Sequence, residues 1–317
     1  MRPNQEVQEF FIPSDEADQL LYLRNRFPRD QQRFTAERTV LFIHGATFPA
    51  ESMFDIDLPG GSWLKRMADA GFDAYLLDIR GYGRSSRPAT MDEDPLANPP
   101  FAHTENAVAD LAHAVEFISQ RRCIDRINLI GWSWGTAIAA GFAAIYPERV
   151  ARLVLNAPLW KISGAPPVSG KGAYRLETEA AVRQRLIRGI PAELVEEISP
   201  TVWFRQWWQD VQASDPNGAR LAVPGVRAPN GVTDDIARIW AQGKATYDPA
   251  SITAPSLLAV GEWDLDTPPR MAEELFNAMT GTVYKRLAVL KRGTHWMLIE
   301  AGREMLIREV EDFLLPK

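Results

Sequence analysis

The chain has 317 residues, which is long for one average domain but within the range of single-core α/β proteins. Apolar residues make up 46% and charged residues 24%, values typical of globular proteins, so disordered and fibrous classes are excluded. The net charge of −6, with no long run of like charges, argues against a nucleic-acid partner. Neither a signal-peptide core nor eighteen consecutive apolar residues occur, so we expect a cytoplasmic protein with no membrane contact.

The chain has one cysteine, Cys123, which cannot form an internal disulfide. It stands just before a predicted strand, where we expect a buried and unreactive thiol. The sequence predicts neither a metal site nor a bound cofactor.

Short apolar runs rich in β-branched residues alternate with helical segments along most of the chain. This alternation is typical of a mostly parallel sheet that is covered by helices on both faces. Residues 10–12 and 20–24 predict an opening antiparallel pair of strands. The buried strands predicted after this pair are residues 39–43, 74–77, 127–130, 152–155, 256–260 and 286–290. The predicted helices are residues 62–70, 104–120, 136–146, 269–279 and 303–314.

The alternation breaks down between residues 159 and 247, where helical stretches and turn-rich pieces appear without a strong strand signal. A loop of this length is uncommon in a compact domain, so an inserted, mainly helical cap explains the segment better. We therefore predict a core in two parts, residues 1–158 and 248–317, with a cap at residues 159–247. The predicted fold class is α/β, with an eight-stranded, mostly parallel sheet flanked by helices.

A candidate nucleophile lies where a predicted strand meets a predicted helix. The pattern G-x-S-x-G places Ser133 between Gly131 and Gly135, and the following helix consists mainly of small apolar residues. A serine on such a sharp turn has a strained backbone, and glycines two residues away leave room for close packing. The helix that begins behind it presents free N–H groups to a developing anion. The context therefore indicates a reactive serine.

A serine hydroxyl is almost un-ionised at neutral pH, so it needs an adjacent base, and the base needs a partner that fixes its tautomer. The chain has only four histidines from which this base can come. His103 and His113 lie before or within a predicted helix, where we expect them to face solvent or to fill a core position.

These patterns resemble the α/β-hydrolase fold superfamily over residues 39–296. Residues 40–46 are similar to the strand of this superfamily that ends in His-Gly. Residues 78–85 are similar to its D-x-R-G-x-G-x-S turn, and residues 146–150 resemble its usual entry to the next strand. The resemblance implies the same fold and a serine-histidine-acid triad.

The resemblance also implies which residues complete the triad. His295 stands in the superfamily's catalytic loop and would be the general base, and Asp264, in a G-x-x-D loop after the penultimate strand, would orient it. Asp266 and Glu262 are the nearby alternatives for the acid. The order Ser133, Asp264, His295 along the chain is the order expected for this fold.

The implied oxyanion hole consists of two backbone N–H groups, those of Ala46 and Trp134, with His44 in a supporting role. In the implied mechanism Ser133 attacks a carbonyl, His295 takes its proton, and water then releases the acyl group.

Tryptophan is abundant beside the candidate residues and in the predicted cap. The functional interpretation is an aromatic-walled pocket for an acyl or alcohol group, and the alternative is that several are core residues. As pocket walls we favour Trp134 and Trp160. The tryptophans predicted to bind substrate are Trp132, Trp160, Trp263 and Trp296. The cap arginines predicted to form a solvated helix face are Arg175, Arg183, Arg185 and Arg188.

The leading prediction is a carboxylesterase-like serine hydrolase that cleaves a small or medium carboxylic ester through an acyl-enzyme. The same triad also serves amide, lactone, thioester and carbon–carbon bond hydrolases, acyltransferases, perhydrolases and ligand receptors, and fold does not decide among them. Epoxide- and halide-processing relatives carry an aspartate where Ser133 stands, so we exclude those chemistries. The predicted partner is a small-molecule ester or related acyl compound, and the sequence leaves open whether the chain forms a homo-oligomer.

Overall fold

The computed structural model of the protein describes residues 4–162 and 170–315. In this part of the chain the strands are β1 (Gln5–Pro13), β2 (Leu20–Pro28), β3 (Thr39–Ile43), β4 (Asp73–Asp78), β5 (Ile127–Trp132), β6 (Val150–Asn156), β7 (Tyr174–Glu177), β8 (Val226–Pro229), β9 (Ser256–Gly261) and β10 (Lys285–Leu290). The α-helices are α1 (Ala50–Phe54), α2 (Trp63–Asp69), α3 (Thr104–Arg122), α4 (Trp134–Ile145), α5 (Glu179–Leu186), α6 (Val195–Ile198), α7 (Thr201–Ala213), α8 (Pro216–Ala219), α9 (Gly231–Arg238), α10 (Pro269–Ala278) and α11 (Arg303–Leu314).

Eight strands form one sheet in the order β1-β2-β4-β3-β5-β6-β9-β10. β2 runs antiparallel to both β1 and β4, and the remaining neighbours are parallel. Helices α3, α4 and α10 pack on one face, and α1, α2 and α11 pack on the other. Every residue of β3, β4, β5 and β9 is buried, because both faces are covered. The predicted fold class, an eight-stranded, mostly parallel α/β sheet, is confirmed.

A long insertion, residues 157–255, separates β6 from β9, although these strands are neighbours in the sheet. It contains α5 to α9 and a second, antiparallel sheet made of β7 and β8. The sequence did not predict these two strands, because four residues are too few for a periodic signal. Residues 163–169 of the predicted cap lie outside the described residues, as do the chain ends 1–3 and 316–317.

Two further features bear on the sequence predictions. Cys123 is exposed, so the predicted buried thiol is wrong. It ends α3 in the left-handed conformation, with a φ of 55°, and the next strand begins only at Ile127, so its side chain stays at the surface. No helix within the described ranges is long and apolar enough to cross a lipid bilayer.

The end of β5 and the start of α4 approach the neighbouring backbone closely around Ser133. A Cβ atom on Gly131 would lie 2.3 Å from the carbonyl oxygen of Gly135, and one on Gly135 would lie 2.3 Å from that of Ile43. These positions therefore require glycine. Farther along α4, a Cβ on Gly141 would lie 3.2 Å from a methyl group of Val108, which a small side-chain movement relieves.

This difference predicts opposite outcomes for two Gly→Ala variants of one helix. Gly135→Ala forces backbone atoms apart and should lower the free energy of unfolding by about 3 kcal/mol or more. Gly141→Ala should change it by less than about 1 kcal/mol, because the gain in helix propensity offsets the crowding. Urea unfolding curves of both variants and wild type measure these values. Equal stabilities of the two variants would contradict the close approach at Gly135.

Candidate active site

Ser133 occupies a strained turn between β5 and α4, at the carboxyl-terminal edge of the sheet. Its φ of 55° and ψ of −119° lie in a region that a residue with a side chain rarely adopts. The N–H of Ser133 donates to the carbonyl of Asn156 at 2.9 Å, which ties the turn to the end of β6. The serine side chain is partly exposed at this edge.

The structure brings the three predicted triad residues together in one hydrogen-bonded chain. His295 Nε2 lies 2.9 Å from Ser133 Oγ, and His295 Nδ1 lies 2.9 Å from Asp264 Oδ2. Asp264 also accepts hydrogen bonds from the N–H groups of Asp266 at 2.9 Å and Thr267 at 2.7 Å, and from the Thr267 hydroxyl at 2.9 Å. The buried carboxylate is therefore fully engaged, and one oxygen faces the imidazole.

Two opposing effects set the pKa of His295. Burial disfavours the protonated imidazole, but the charge of Asp264 and the hydrogen bond to it outweigh this effect, so the pKa of His295 is raised above its ordinary value. The backbone of His295 is fixed as well, because Trp132 Nε1 donates to the carbonyl of His295 at 3.1 Å.

The other candidate acids do not contact the imidazole. Glu262 accepts a hydrogen bond from the N–H of Arg292 at 3.0 Å, and Asp266 pairs with Arg188. Asp266 is not the N-cap of the following helix, because the residue before α10 is Pro268. The structure therefore leaves Asp264 as the carboxylate beside His295.

The other histidines lie in different surroundings. His113 is exposed, and His103 precedes α3 and lies 2.9 Å from Asp235 of α9. His44 is fully buried, and burial lowers its pKa to about 4, so its ring is neutral at pH 7. Its Nε2 accepts a hydrogen bond from the N–H of Ile79 at 3.1 Å, which links the loop after β3 to the end of β4.

The loop after β3 carries the first predicted oxyanion donor. The carbonyl of Ala46 accepts hydrogen bonds from the Tyr82 hydroxyl at 2.8 Å and from Arg175 Nη2 at 2.6 Å, so this peptide is held firmly. Within residues 4–162 and 170–315, neither the N–H of Ala46 nor that of Trp134, the first residue of α4, has a hydrogen-bond acceptor. Both groups are available to a ligand.

Glu300 and Thr267 are parts of this site that sequence reasoning missed. Glu300 is buried five residues after His295, and it accepts hydrogen bonds from the N–H of Thr294, at 3.1 Å, and from the Thr294 hydroxyl. Burial raises the pKa of Glu300 to about 7. The Thr267 hydroxyl lies 3.2 Å from His295 Nδ1 as well as beside Asp264. A polar residue in a loop gives no periodic signal, so neither role could be found from spacing.

Known proteins share this arrangement of strands and helices. A family model described as the alpha/beta hydrolase fold matches residues 38–193. The solved structure of an enol-lactonase from Burkholderia xenovorans superposes with a TM-score of 0.65 at 19% identity, covering 96% of this chain and 99% of the other. The chain has the α/β-hydrolase fold. A thermophilic esterase from Thermogutta terrifontis also superposes on this α/β-hydrolase, with a TM-score of 0.59 at 20% identity and coverage of 97% and 98%.

Curated relatives of this α/β-hydrolase match only part of its sequence. Lipase member N from Homo sapiens is 28% identical over 149 residues, which are 47% of this chain and 37% of the lipase. The chain spans well under half the length of the curated relatives it matches first. These matches support membership of the superfamily, and the superposed structures show the shared fold.

The four tryptophans predicted to bind substrate occupy different positions. Trp132 is buried beneath His295, with ring centroids 5.4 Å apart. Trp160 is buried against Tyr247, and Trp263 is partly exposed beside Asp264. Trp296 is buried next to His295, but its Nε1 has no hydrogen-bond acceptor among the described residues. Contact of these side chains with substrate stays a prediction.

Trp134, which we had favoured as a pocket wall, turns its side chain into the protein core. It is fully buried, and its Nε1 donates to the Thr104 hydroxyl at 2.9 Å. Its ring packs against Tyr82, with centroids 6.0 Å apart. The side chain therefore anchors the start of α4, and only the backbone N–H of Trp134 is available at the site.

The solvated helix face predicted for the insertion's arginines is wrong. Arg175 lies in β7, and its guanidinium reaches the Ala46 loop. Arg183 donates to the Ser199 hydroxyl at 2.8 Å, and Arg185 packs over the ring of Trp296. Arg188 is half exposed, as predicted, but it lies beyond the end of α5 and so is not on a helix face.

One group in the described part of the chain has the composition of a metal site. His103, Asp234 and Asp235 each offer a ligand atom, and these atoms lie within 4.8 Å of one another. Asp235, however, already accepts hydrogen bonds from the N–H and hydroxyl of Thr104, each at 2.7 Å. These bonds join α3 to α9, and the group contains no triad residue, so we assign it a structural role.

The raised pKa of Glu300 predicts how stability changes with pH. The folded protein keeps the Glu300 proton up to about pH 7, whereas the unfolded chain loses it near pH 4.5, so this group lowers stability as pH rises between those values. Glu300→Gln removes the effect. The difference in unfolding free energy, variant minus wild type, should therefore rise by up to about 3 kcal/mol from pH 4.5 to pH 7.

Chemical denaturation at several pH values tests this prediction. Glu304→Gln is the matched control. The hydrogen bond from Arg66 lowers the pKa of Glu304, so this carboxyl group titrates below the pH window of the experiment. The control difference should stay flat from pH 4.5 to pH 7. A flat curve for Glu300→Gln as well would show that Glu300 does not titrate near neutrality.

Proposed function

We propose that this α/β-hydrolase is a serine hydrolase that cleaves a small or medium carboxylic ester through an acyl-enzyme intermediate. The continuous hydrogen-bonded chain from Ser133 through His295 to Asp264 is the observation that carries the proposal. This arrangement suits the activation of a hydroxyl that is otherwise a weak nucleophile. The curated lipase relatives support an ester as the substrate class.

Acylation begins when Ser133 Oγ attacks the ester carbonyl carbon and His295 Nε2 takes the hydroxyl proton. Asp264 stabilises the imidazolium that forms and keeps Nδ1 protonated, so that Nε2 is the basic nitrogen. The carbonyl oxygen becomes an oxyanion, and the free N–H groups of Ala46 and Trp134 stabilise it by hydrogen bonds. When the tetrahedral intermediate collapses, the leaving alcohol takes the proton from His295.

Deacylation repeats these steps with water. His295 removes a proton from a water molecule, the resulting hydroxide attacks the acyl-enzyme, and the oxyanion forms again at the same N–H groups. Ser133 recovers its proton from His295 as the carboxylic acid leaves. The two half-reactions use the same histidine first as a base and then as an acid.

Replacement of the nucleophile tests the proposal directly. Wild type should hydrolyse p-nitrophenyl esters between acetate and dodecanoate, and Ser133→Ala should lose at least about four orders of magnitude in kcat. Ser119→Ala, which removes a buried hydroxyl from α3, should keep wild-type activity. Release of p-nitrophenol measures the rates. Full turnover by Ser133→Ala would rule out the assigned nucleophile.

The pH dependence of kcat/KM tests the role of His295. The base must be neutral to accept a proton, so activity should fall as pH drops through the raised pKa of His295, with a midpoint above 6.5. Asp264→Asn removes the main charge that raises this pKa, so its midpoint should move to lower pH. Asp266→Asn, whose carboxylate does not contact the imidazole, should move it less. Identical profiles for Asp264→Asn and wild type would contradict this assignment.

A further inference from the structure

Three buried N–H donors without an acceptor lie together where the insertion meets the His295 loop. They are Arg185 Nε, Trp207 Nε1 and Trp296 Nε1, and none has a hydrogen-bond partner in the described part of the chain. Buried donors are almost always paired in native proteins, and each unpaired one costs free energy. Three in one place indicate that an acceptor from outside the chain belongs there.

These side chains form one packed group together with Phe48. The carbon atom Cζ of Arg185 lies 5.1 Å from the ring centroid of Trp296 and 5.9 Å from that of Phe48. The ring of Trp207 lies 4.8 Å from Phe48 and 6.4 Å from Trp296. We call these four residues the Arg185 cluster. Because its walls are aromatic, a polar ligand in this cluster would meet the charge of Arg185 and the indole N–H donors with little competition from water.

Helix α5 places Arg185 on its buried face. Val182 and Leu186 of this helix are buried in the core, and Arg185 follows Val182 by three residues, which puts both on one side. Only 29% of the Arg185 side chain is exposed. An arginine in this position must find an acceptor or remain an incompletely paired charge.

The acids nearby do not neutralise the positive charge. Arg175 donates to Glu177 at 3.0 Å and to the carbonyls of Ala46 and Pro229, so its guanidinium is fully used. Arg185 reaches the same Glu177 only at 3.4 Å. Among the described residues no other carboxylate lies within 4 Å of either guanidinium, so two cations share one anion and one positive charge is left over.

The surplus charge lies next to the reacting groups. Arg185 Nη2 is 3.5 Å from the hydroxyl of Thr47, the residue after Ala46. Trp296 follows His295 directly, and their ring centroids are 5.6 Å apart. The charge of Arg185 also acts on the imidazole, since it lowers the pKa of His295 in opposition to Asp264. A ligand at the Arg185 cluster would therefore lie close to a carbonyl attacked by Ser133.

We propose that the Arg185 cluster binds a carboxylate of the substrate, so that the preferred ester carries a second, free carboxylate a few carbons from the scissile carbonyl. A guanidinium edge matches the two oxygens of a carboxylate, and indole N–H groups add neutral donors. One negative charge balances the one positive charge left over, whereas a doubly charged phosphate would leave a buried charge unpaired. This inference rests on the proposed ester hydrolysis and adds its substrate class.

Matched esters test this inference by selectivity. Monomethyl succinate and methyl 4-methylpentanoate have the same shape, but only the first carries a carboxylate. Wild type should favour monomethyl succinate in kcat/KM by about 10- to 100-fold, the range expected for hydrogen bonds to a charged group. Arg185→Met should reduce the ratio of the two values to about one, and Arg185→Lys should retain part of it because it keeps the charge without the planar fork. Arg188→Met is the matched control just beyond the end of α5 and should keep the wild-type ratio.

Binding to the Ser133→Ala variant provides a readout that does not need turnover. Isothermal titration should give tighter binding of monomethyl succinate than of methyl 4-methylpentanoate, and Arg185→Met in this background should abolish the difference. Tighter binding of inorganic phosphate than of succinate would overturn the carboxylate assignment. Equal hydrolysis of the two esters by wild type would also overturn the carboxylate assignment. This outcome can be judged even if Arg185→Met fails to fold.

The two proposals fail in different ways. If Ser133→Ala still hydrolyses esters, the proposed mechanism is wrong, whatever the selectivity. If hydrolysis depends on Ser133 but the carboxylate gives no advantage in rate or binding, ester hydrolysis stands and the role of the Arg185 cluster is wrong.

Discussion

The site depends on holding one serine in a backbone conformation that serine avoids. A residue at such a φ costs about 1 to 3 kcal/mol, and it persists only when its surroundings fix it. At Ser133 the buried sheet does so, because β5 ends against α4 so closely that Gly131 and Gly135 have no space for a side chain. The interior packing of the α/β fold thus has a direct chemical result: it presents a hydroxyl at the edge of the sheet, where the loops after β9 and β10 bring Asp264 and His295.

The histidine loop is fixed from several directions before any ligand arrives. Asp264 hydrogen-bonds Nδ1 of His295, and Trp132 donates to the backbone carbonyl of His295. Glu300 accepts a hydrogen bond from the N–H of Thr294, the residue before His295. Each of these bonds is buried, where electrostatic interactions are stronger than in water. An imidazole that is already oriented needs little rearrangement during proton transfer. Groups that are held in place in this way stabilise a transition state without a cost of reorganisation.

The regular parts of this molecule could be predicted from sequence because they follow periodic rules. The strand before Ser133 and the helix after it coincide with β5 and α4 to within two residues, and the terminal helix was predicted at its observed bounds. The surroundings of Arg185 and Glu300 could not be predicted, because burial of a charged side chain depends on which distant elements pack on it. Cys123 shows the same limit, since a position before a strand does not say whether the chain is still at the surface.

The insertion also has a consequence for how the chain reaches its native state. β9 must pair with β6, yet residues 157–255 stand between these strands in sequence. Bringing the ends of so long a stretch together costs conformational entropy, and this cost comes before the pairing of β6 with β9 can stabilise the sheet. Such non-local contacts slow folding. While β9 and β10 are not yet docked, β6 is an open sheet edge, able to pair with another chain. The order of elements along the chain therefore creates a risk of misassembly during synthesis, and this risk ends when β9 pairs with β6.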